Sequence, residues 1–189
     1  MMIAQAMPQP SHTNHIYSME GVETLRFNSW WFEGKTKKYV TLSYALREDR
    51  LIAEIQDLPG EHEIVNAKTK AGTDLECWDL FVGAEIRVFG KSVVLKQCDL
   101  ATSQWIAYYS QSLRGTKDRL VLELRKYEVK LLPAWLLQSA DSELHGGTNL
   151  RLLQKQCKEL KARLERFRPK LAQAIVTAGL TLRLDEVLE

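Results

Sequence analysis

The chain has 189 residues, enough for one well-packed domain with appendages, and its 45% hydrophobic and 26% charged composition is that of an ordinary globular protein. A formal net charge of +2 gives no argument for nucleic acid, although an average can hide a local patch. No run of about 18 apolar residues occurs, so no membrane span is expected.

Residues 1–20 hold Pro8, Pro10, Ser11, Thr13 and Asn14 with few apolar anchors, and they lack the basic start and apolar run of a secretory signal. They are expected to form an extended arm that orders on a partner. Cys77, Cys98 and Cys157 are odd in number and widely spaced, which makes no disulfide framework and fits a reducing cytoplasm.

From 21 to 98 the pattern is one of strands. Leu25-Arg26-Phe27 leads into Trp30-Trp31-Phe32, and Glu33-Gly34 reads as a turn. The stretch 39–44 alternates, with Val40, Leu42 and Tyr44 on one face, and Leu51-Ile52-Ala53-Glu54-Ile55 follows a polar turn as its hairpin partner. Pro59-Gly60 breaks the pattern, 63–65 is a short strand at best, and 68–73 is a loop. Two clear strands, 85–89 and 93–98, flank a tight turn at Gly90-Lys91.

Near Thr102 the period changes. Trp105, Tyr109 and Leu113 recur at helical spacing, Thr102 can cap the start, and Gly115 follows the end. The stretch 118–132 fits a strand through Leu120, Leu122 and Leu124, or a helix through Leu120, Leu124 and Tyr127, and 116–147 as a whole is expected to be an extended linker. From 148 a strong helix begins. Leu150, Leu153, Cys157, Leu160, Leu164 and Phe167 form a heptad stripe too short for a stable isolated coiled coil, so it is expected to pack on a partner helix. Pro169 ends or kinks it, and a second helix follows over 170–178.

Chemistry is hard to find. No glycine-rich phosphate loop and no Gly-x-Ser-x-Gly occurs around Ser29, Ser43 or Ser92. His12 and His15 lack a second ligand pair, and Cys77, Cys98 and His62 lack zinc-like spacing. Asp79 and Asp99 sit at element ends, where turn and capping roles outrank acid–base catalysis. No enzyme, cofactor or metal is therefore expected.

Two basic features remain as candidate partner contacts. Lys35, Lys37 and Lys38 flank a turn. The helix over 148–170 carries Arg151, Lys155, Lys158, Lys161, Arg163, Arg166, Arg168 and Lys170 against Glu159 and Glu165, a surplus of six. Its residues Arg151, Lys155, Lys158, Arg163 and Arg166 are the expected contacts to an acidic partner. Nucleic acid is not expected, because no exposed sheet motif of aromatic and basic residues is evident.

The run Asp79-Leu80-Phe81-Val82-Gly83-Ala84-Glu85-Ile86-Arg87-Val88-Phe89-Gly90-Lys91, then Cys98-Asp99, Thr102 and Tyr108-Tyr109, resembles the DM-ten domain. Leu25-Arg26-Phe27, Trp30 and Leu51-Ile52-Ala53-Glu54-Ile55 extend the likeness upstream, over about 21–114. Such domains occur in the axonemal EF-hand-containing family and in an axonemal nucleoside-diphosphate kinase homologue.

The resemblance implies an α+β fold, a small pleckstrin-homology-like β-barrel or sandwich closed by one C-terminal helix. An extended α-helical tail would follow over 148–189. It also implies a non-catalytic structural role in cilia and flagella, in the lumen of doublet microtubules, with tubulin and other luminal axonemal proteins as partners. A pleckstrin-homology-like adaptor that binds anionic lipid or protein through Lys35, Lys37, Lys38 and Lys91 is the alternative.

Overall fold

The computed structural model of the chain describes residues 21–128, 131–142 and 146–179. The expected N-terminal arm, 1–20, and the end of the expected tail, 180–189, lie outside the described residues. The fold is α+β, with two antiparallel sheets and a layer of helices.

Alternation builds the larger sheet. Strand β1 (Thr24–Glu33) buries Leu25, Phe27 and Ser29, and β2 (Thr36–Ala45) buries Val40, Leu42 and Tyr44, because successive side chains point to opposite faces. The hairpin pairs them from Thr24↔Ala45 to Glu33↔Thr36. Strand β3 (Arg50–Ile55) adds Leu51 and Ala53 to the same inner face, as the sequence implies. Strand β4 (Leu58–Glu63) then contains the Pro59-Gly60 expected to break the pattern. It does so at the sheet edge, where a proline costs no ladder bond.

The smaller sheet is β5 (Lys68–Thr69), β6 (Glu85–Val88) and β7 (Lys91–Val94), in that order. The β6–β7 turn is Phe89-Gly90, both with positive φ (52° and 73°), the backbone a two-residue hairpin requires. The second strand is shorter than expected. After Val94 the chain leaves β6, and β8 (Gln97–Cys98) pairs with Phe27 and Asn28 of β1. The larger sheet thus runs β4-β3-β2-β1-β8, and among the described residues no ladder joins the two sheets into a closed barrel. Ile86, Val88, Val93 and Leu95 face the same core as the larger sheet's inner residues.

Helix α1 (Leu100–Leu124) corrects two expectations. It does not stop at Gly115, and 116–124 is helix rather than linker. One glycine costs a helix roughly 1 kcal/mol, which flanking burial of Leu113, Thr116, Leu120 and Leu124 outweighs. At about 1.5 Å per residue, its 25 residues span roughly 38 Å. Its start is fixed by Asp99, whose carboxylate accepts from the Thr102 N–H at 2.8 Å. Thr102 is not the cap: its hydroxyl oxygen accepts from the Arg26 N–H at 2.7 Å and ties the helix to β1.

The C-terminal helices correct a third. Past the four-residue helix α2 (Ala134–Leu137), helix α3 (Leu150–Glu165) does not extend away as a tail. Its stripe of Leu150, Leu153, Cys157, Leu160 and Leu164 is buried, and α3 packs on the distal half of α1. Helix α4 (Pro169–Gly179) opens on proline, which suits a first helical position, and packs on both. The partner helix of the stripe is therefore mainly within the chain. A backbone cannot reveal this one segment at a time, since the buried faces of α1 and α3 lie some 40 residues apart, as the Cys157 Sγ contact to the Leu113 carbonyl (3.4 Å) shows.

Candidate functional site

The fold divides the predicted contact residues into two sets. On α3, two of the five are committed within the chain. Arg151 forks onto Asp79, with Nε donating to Oδ1 at 2.9 Å and Nη2 to Oδ2 at 3.1 Å, and reaches Glu76 Oε2 at 2.7 Å. These bonds hold its guanidinium charged, well above its ordinary value, against the opposing desolvation. Arg151 thus clamps the start of α3 to a single 3-10 turn at Cys77–Asp79. Arg163 donates to Glu159 (2.7 Å) and Glu128 (3.1 Å), locking α3 to the end of α1. A paired guanidinium is a poor candidate for a partner contact, because binding must first break what holds it. Lys155, Lys158 and Arg166 are exposed, and the ion pairs described leave out Lys155 and Arg166. Lys155 lines a groove of about 810 Å³ between the smaller sheet and α3. The acids there are engaged: Glu85 with Lys70, Asp74 with Lys68, and Glu76 and Asp79 with Arg151.

The second set is concentrated. Lys35, Lys37 and Lys38 lie at the β1–β2 end with Lys91, which β7 brings alongside. Lys38 pairs with Asp57, and that bond raises its pKa. Lys91 pairs with Glu33, whose carboxyl is held below its usual value by hydrogen bonds from Lys91 first and Trp31 second. Lys37 instead lies over the rings of Trp30 (4.0 Å) and Tyr39 (4.7 Å), and Lys96 lies 5.5 Å from the Trp30 centroid.

This aromatic setting is what the sequence reading missed. Trp30 and Tyr39 are register partners on the outer face of the sheet, their centroids 6.3 Å apart, and Phe32 is 66% exposed beside Lys37. The period-two signal was available, since Trp30 and Phe32 fall opposite in phase to buried Leu25, Phe27 and Ser29. The stated reason for setting nucleic acid aside, the lack of an exposed aromatic-and-basic sheet motif, does not hold for this corner.

The candidate catalytic carboxylates are structural. Asp79 binds Arg151 and accepts from the Glu76 N–H at 3.1 Å, and Asp99 caps α1. Burial pushes the thiols of Cys77 and Cys157 up to about 12, the opposite of an activated nucleophile. Among the described residues, no group of three His, Cys, Asp or Glu is placed to hold a metal ion, and no helix is long and apolar enough to cross a membrane. No family model matches the chain, and no curated protein matches it.

Proposed function

We propose that the chain is a non-catalytic structural protein of ciliary and flagellar axonemes, built around one DM-ten-like domain with a pleckstrin-homology-like arrangement of two sheets and a capping helix. In this reading it binds tubulin in the doublet lumen, together with neighbouring luminal proteins. The observation that carries it is the course of residues 78–109. They run through strand, tight turn, strand and short strand into a helix capped by Asp99, the order in which the DM-ten resemblance places its most specific residues. The chemistry of the chain agrees: Asp79 and Asp99 clamp and cap, and burial keeps the thiols of Cys77 and Cys157 protonated.

The test is fractionation of cilia carrying a tagged copy. The protein is expected to stay with doublet microtubules after high-salt extraction, and recovery wholly in the soluble membrane-plus-matrix fraction would refute the axonemal placement.

A second reading, an adaptor for anionic lipid, is favoured by one observation: Lys35, Lys37, Lys38 and Lys91 gather at one end of the sheets. Liposome co-sedimentation that depends on these lysines and on anionic headgroups would support it. Equal sedimentation with neutral and anionic vesicles would remove it.

A further inference from the structure

Strand β1 is paired along its whole length with β2 but only briefly on its other side. There the ladder with β8 covers Phe27 and Asn28, and the Arg26 and Asn28 carbonyls accept from Asp99 and Lys96. The two-residue repeat of a strand turns the backbone groups of Trp30 and Phe32 to that same side, past the end of the ladder. A groove of about 610 Å³ lies along this open stretch. Trp30, Trp31 and Phe32 form one wall, and Lys91, Ser92, Val94 and Lys96 the other.

The charge around the groove is one-sided. Lys35, Lys37, Lys38, Lys91 and Lys96 face two carboxylates, Glu33 and Asp57, a surplus of three, and the ion pairs described leave Lys35, Lys37 and Lys96 unneutralised. Exposed strand edges pair with extended chains, and flanking pockets select the side chains.

We infer that the open edge of β1 at Trp30 and Phe32, with Lys37 and Lys96, is a docking groove for an acidic polypeptide segment that adds to the sheet as an extended strand. Backbone pairing with Trp30 and Phe32 supplies orientation, apolar side chains on one face of the added strand pack on Trp31, and carboxylates on its other face meet Lys37 and Lys96. The alternatives fit less well. The turn beyond the aromatics, Glu33-Gly34-Lys35-Thr36, carries no apolar residue at its tip to enter a bilayer. The Trp30 and Tyr39 rings already carry Lys37, which leaves them covered as stacking platforms for the bases of a nucleic acid. The inference does not depend on the ciliary placement.

The experiment titrates the full chain into a fluorescent peptide of alternating Glu and Val, followed by anisotropy. Saturable binding is expected, weakening with added salt. Lys37→Glu with Lys96→Glu should weaken it roughly tenfold or more, while Lys155→Glu with Arg166→Glu leaves it unchanged. N-methylation of alternate peptide nitrogens should abolish binding in one phase only. Trp31→Ala tests the apolar wall and should weaken binding, and the surface lysine variants carry the test if Trp31→Ala fails to fold. The inference is overturned by absence of saturable binding, by equal loss in the Lys155 and Arg166 variant, or by indifference to N-methylation. It is also overturned if phosphatidylserine vesicles or a single-stranded oligonucleotide displace the peptide at lower concentration with the same lysine dependence.

Discussion

The sheet layer, 24–98, and the helical layer, 100–179, share α1 but are held together on different terms. In the sheets, β1 through β3 each pair with the next strand along the chain, as β6 does with β7, so turns of two to four residues set four of the six registers. In the helices the partners are distant. Arg163 reaches Glu128, Arg151 reaches Asp79, and Ser112 Oγ donates to the Gly179 carbonyl at 2.5 Å across 67 residues. A layer assembled from neighbours is specified locally, whereas a layer assembled from distant helices exists only once the whole chain has folded. Helix α1 belongs to both, with Trp105 and Ile106 buried toward the sheets and Leu113, Leu120 and Leu124 toward α3 and α4.

If α1 welds the layers into one unit, they unfold together. Leu42 in the sheets and Leu160 in the helices are both fully buried, and truncating either to Ala should cost about 2–5 kcal/mol. The readout is thiol labelling in urea. Cys77 reports the sheet layer and Cys157 the helical layer, and burial suppresses both thiolates in the native state by raising their pKa to about 12. Both variants should expose the two thiols at one shared midpoint. Labelling of Cys157 well before Cys77 in Leu160→Ala would show the helical layer opening alone.

Glycines sharpen the comparison, because each layer uses one for a different reason. A Cβ on Gly179 would lie 2.0 Å from the Thr116 hydroxyl oxygen, so α4 approaches α1 there only without a side chain. Gly179→Ala should destabilise by roughly 1–3 kcal/mol, and adding Thr116→Ala should return part of that loss in a thermal-melt cycle. Gly34, in the β1–β2 turn, has open space around it and a φ of +60°, so its requirement is conformational. Gly34→Ala should cost about 1 kcal/mol and Gly34→Asn less, since asparagine tolerates that backbone. If Gly34→Ala proved the costlier of the two glycine changes, the distinction between local and distant specification would fail.

The same distinction explains what could be read in advance. Val40, Leu42 and Tyr44 announce their face because alternation is a property of the strand alone, and Asp99 announces a junction because a cap lies within three residues of what it caps. The burial stripe of α3 was equally legible, but its partner was not, since nothing in Leu150 or Cys157 names Leu113. Gly115 misled for a related reason. A glycine ends a helix only when no packing continues beyond it, and that packing comes from residues 150–176. At the candidate site the lysines were visible as charge. Their aromatic setting needed the β1–β2 register to place Tyr39 opposite Trp30, and the groove needed β7 to come alongside β1.

The smallest expected effect lies within the helical layer, in the connection between α2 and α3. Asp141 accepts from Arg114 of α1, from the Thr148 hydroxyl (2.9 Å) and from the Ser139 hydroxyl (3.2 Å), and it pairs with Thr148 as a lone bridge before α3. The Arg114 bond first, and the Thr148 bond second, hold its carboxyl below the ordinary value of 3.8. A carboxyl with a lower pKa in the folded chain stabilises that chain above its unfolded pKa, and the contribution disappears as pH falls through the folded value. Asp141→Asn should therefore reduce the melting temperature slightly at neutral pH, and the gap to the native chain should close in acid. The effect is small because both side chains are largely solvated (39% and 49% exposed), so added salt should shrink it further. A gap that persisted below that acid range, or that ignored salt, would mean the bridge works by shape rather than charge. The junction would then follow the close-packing logic of Gly179 and not the electrostatics of an exposed pair.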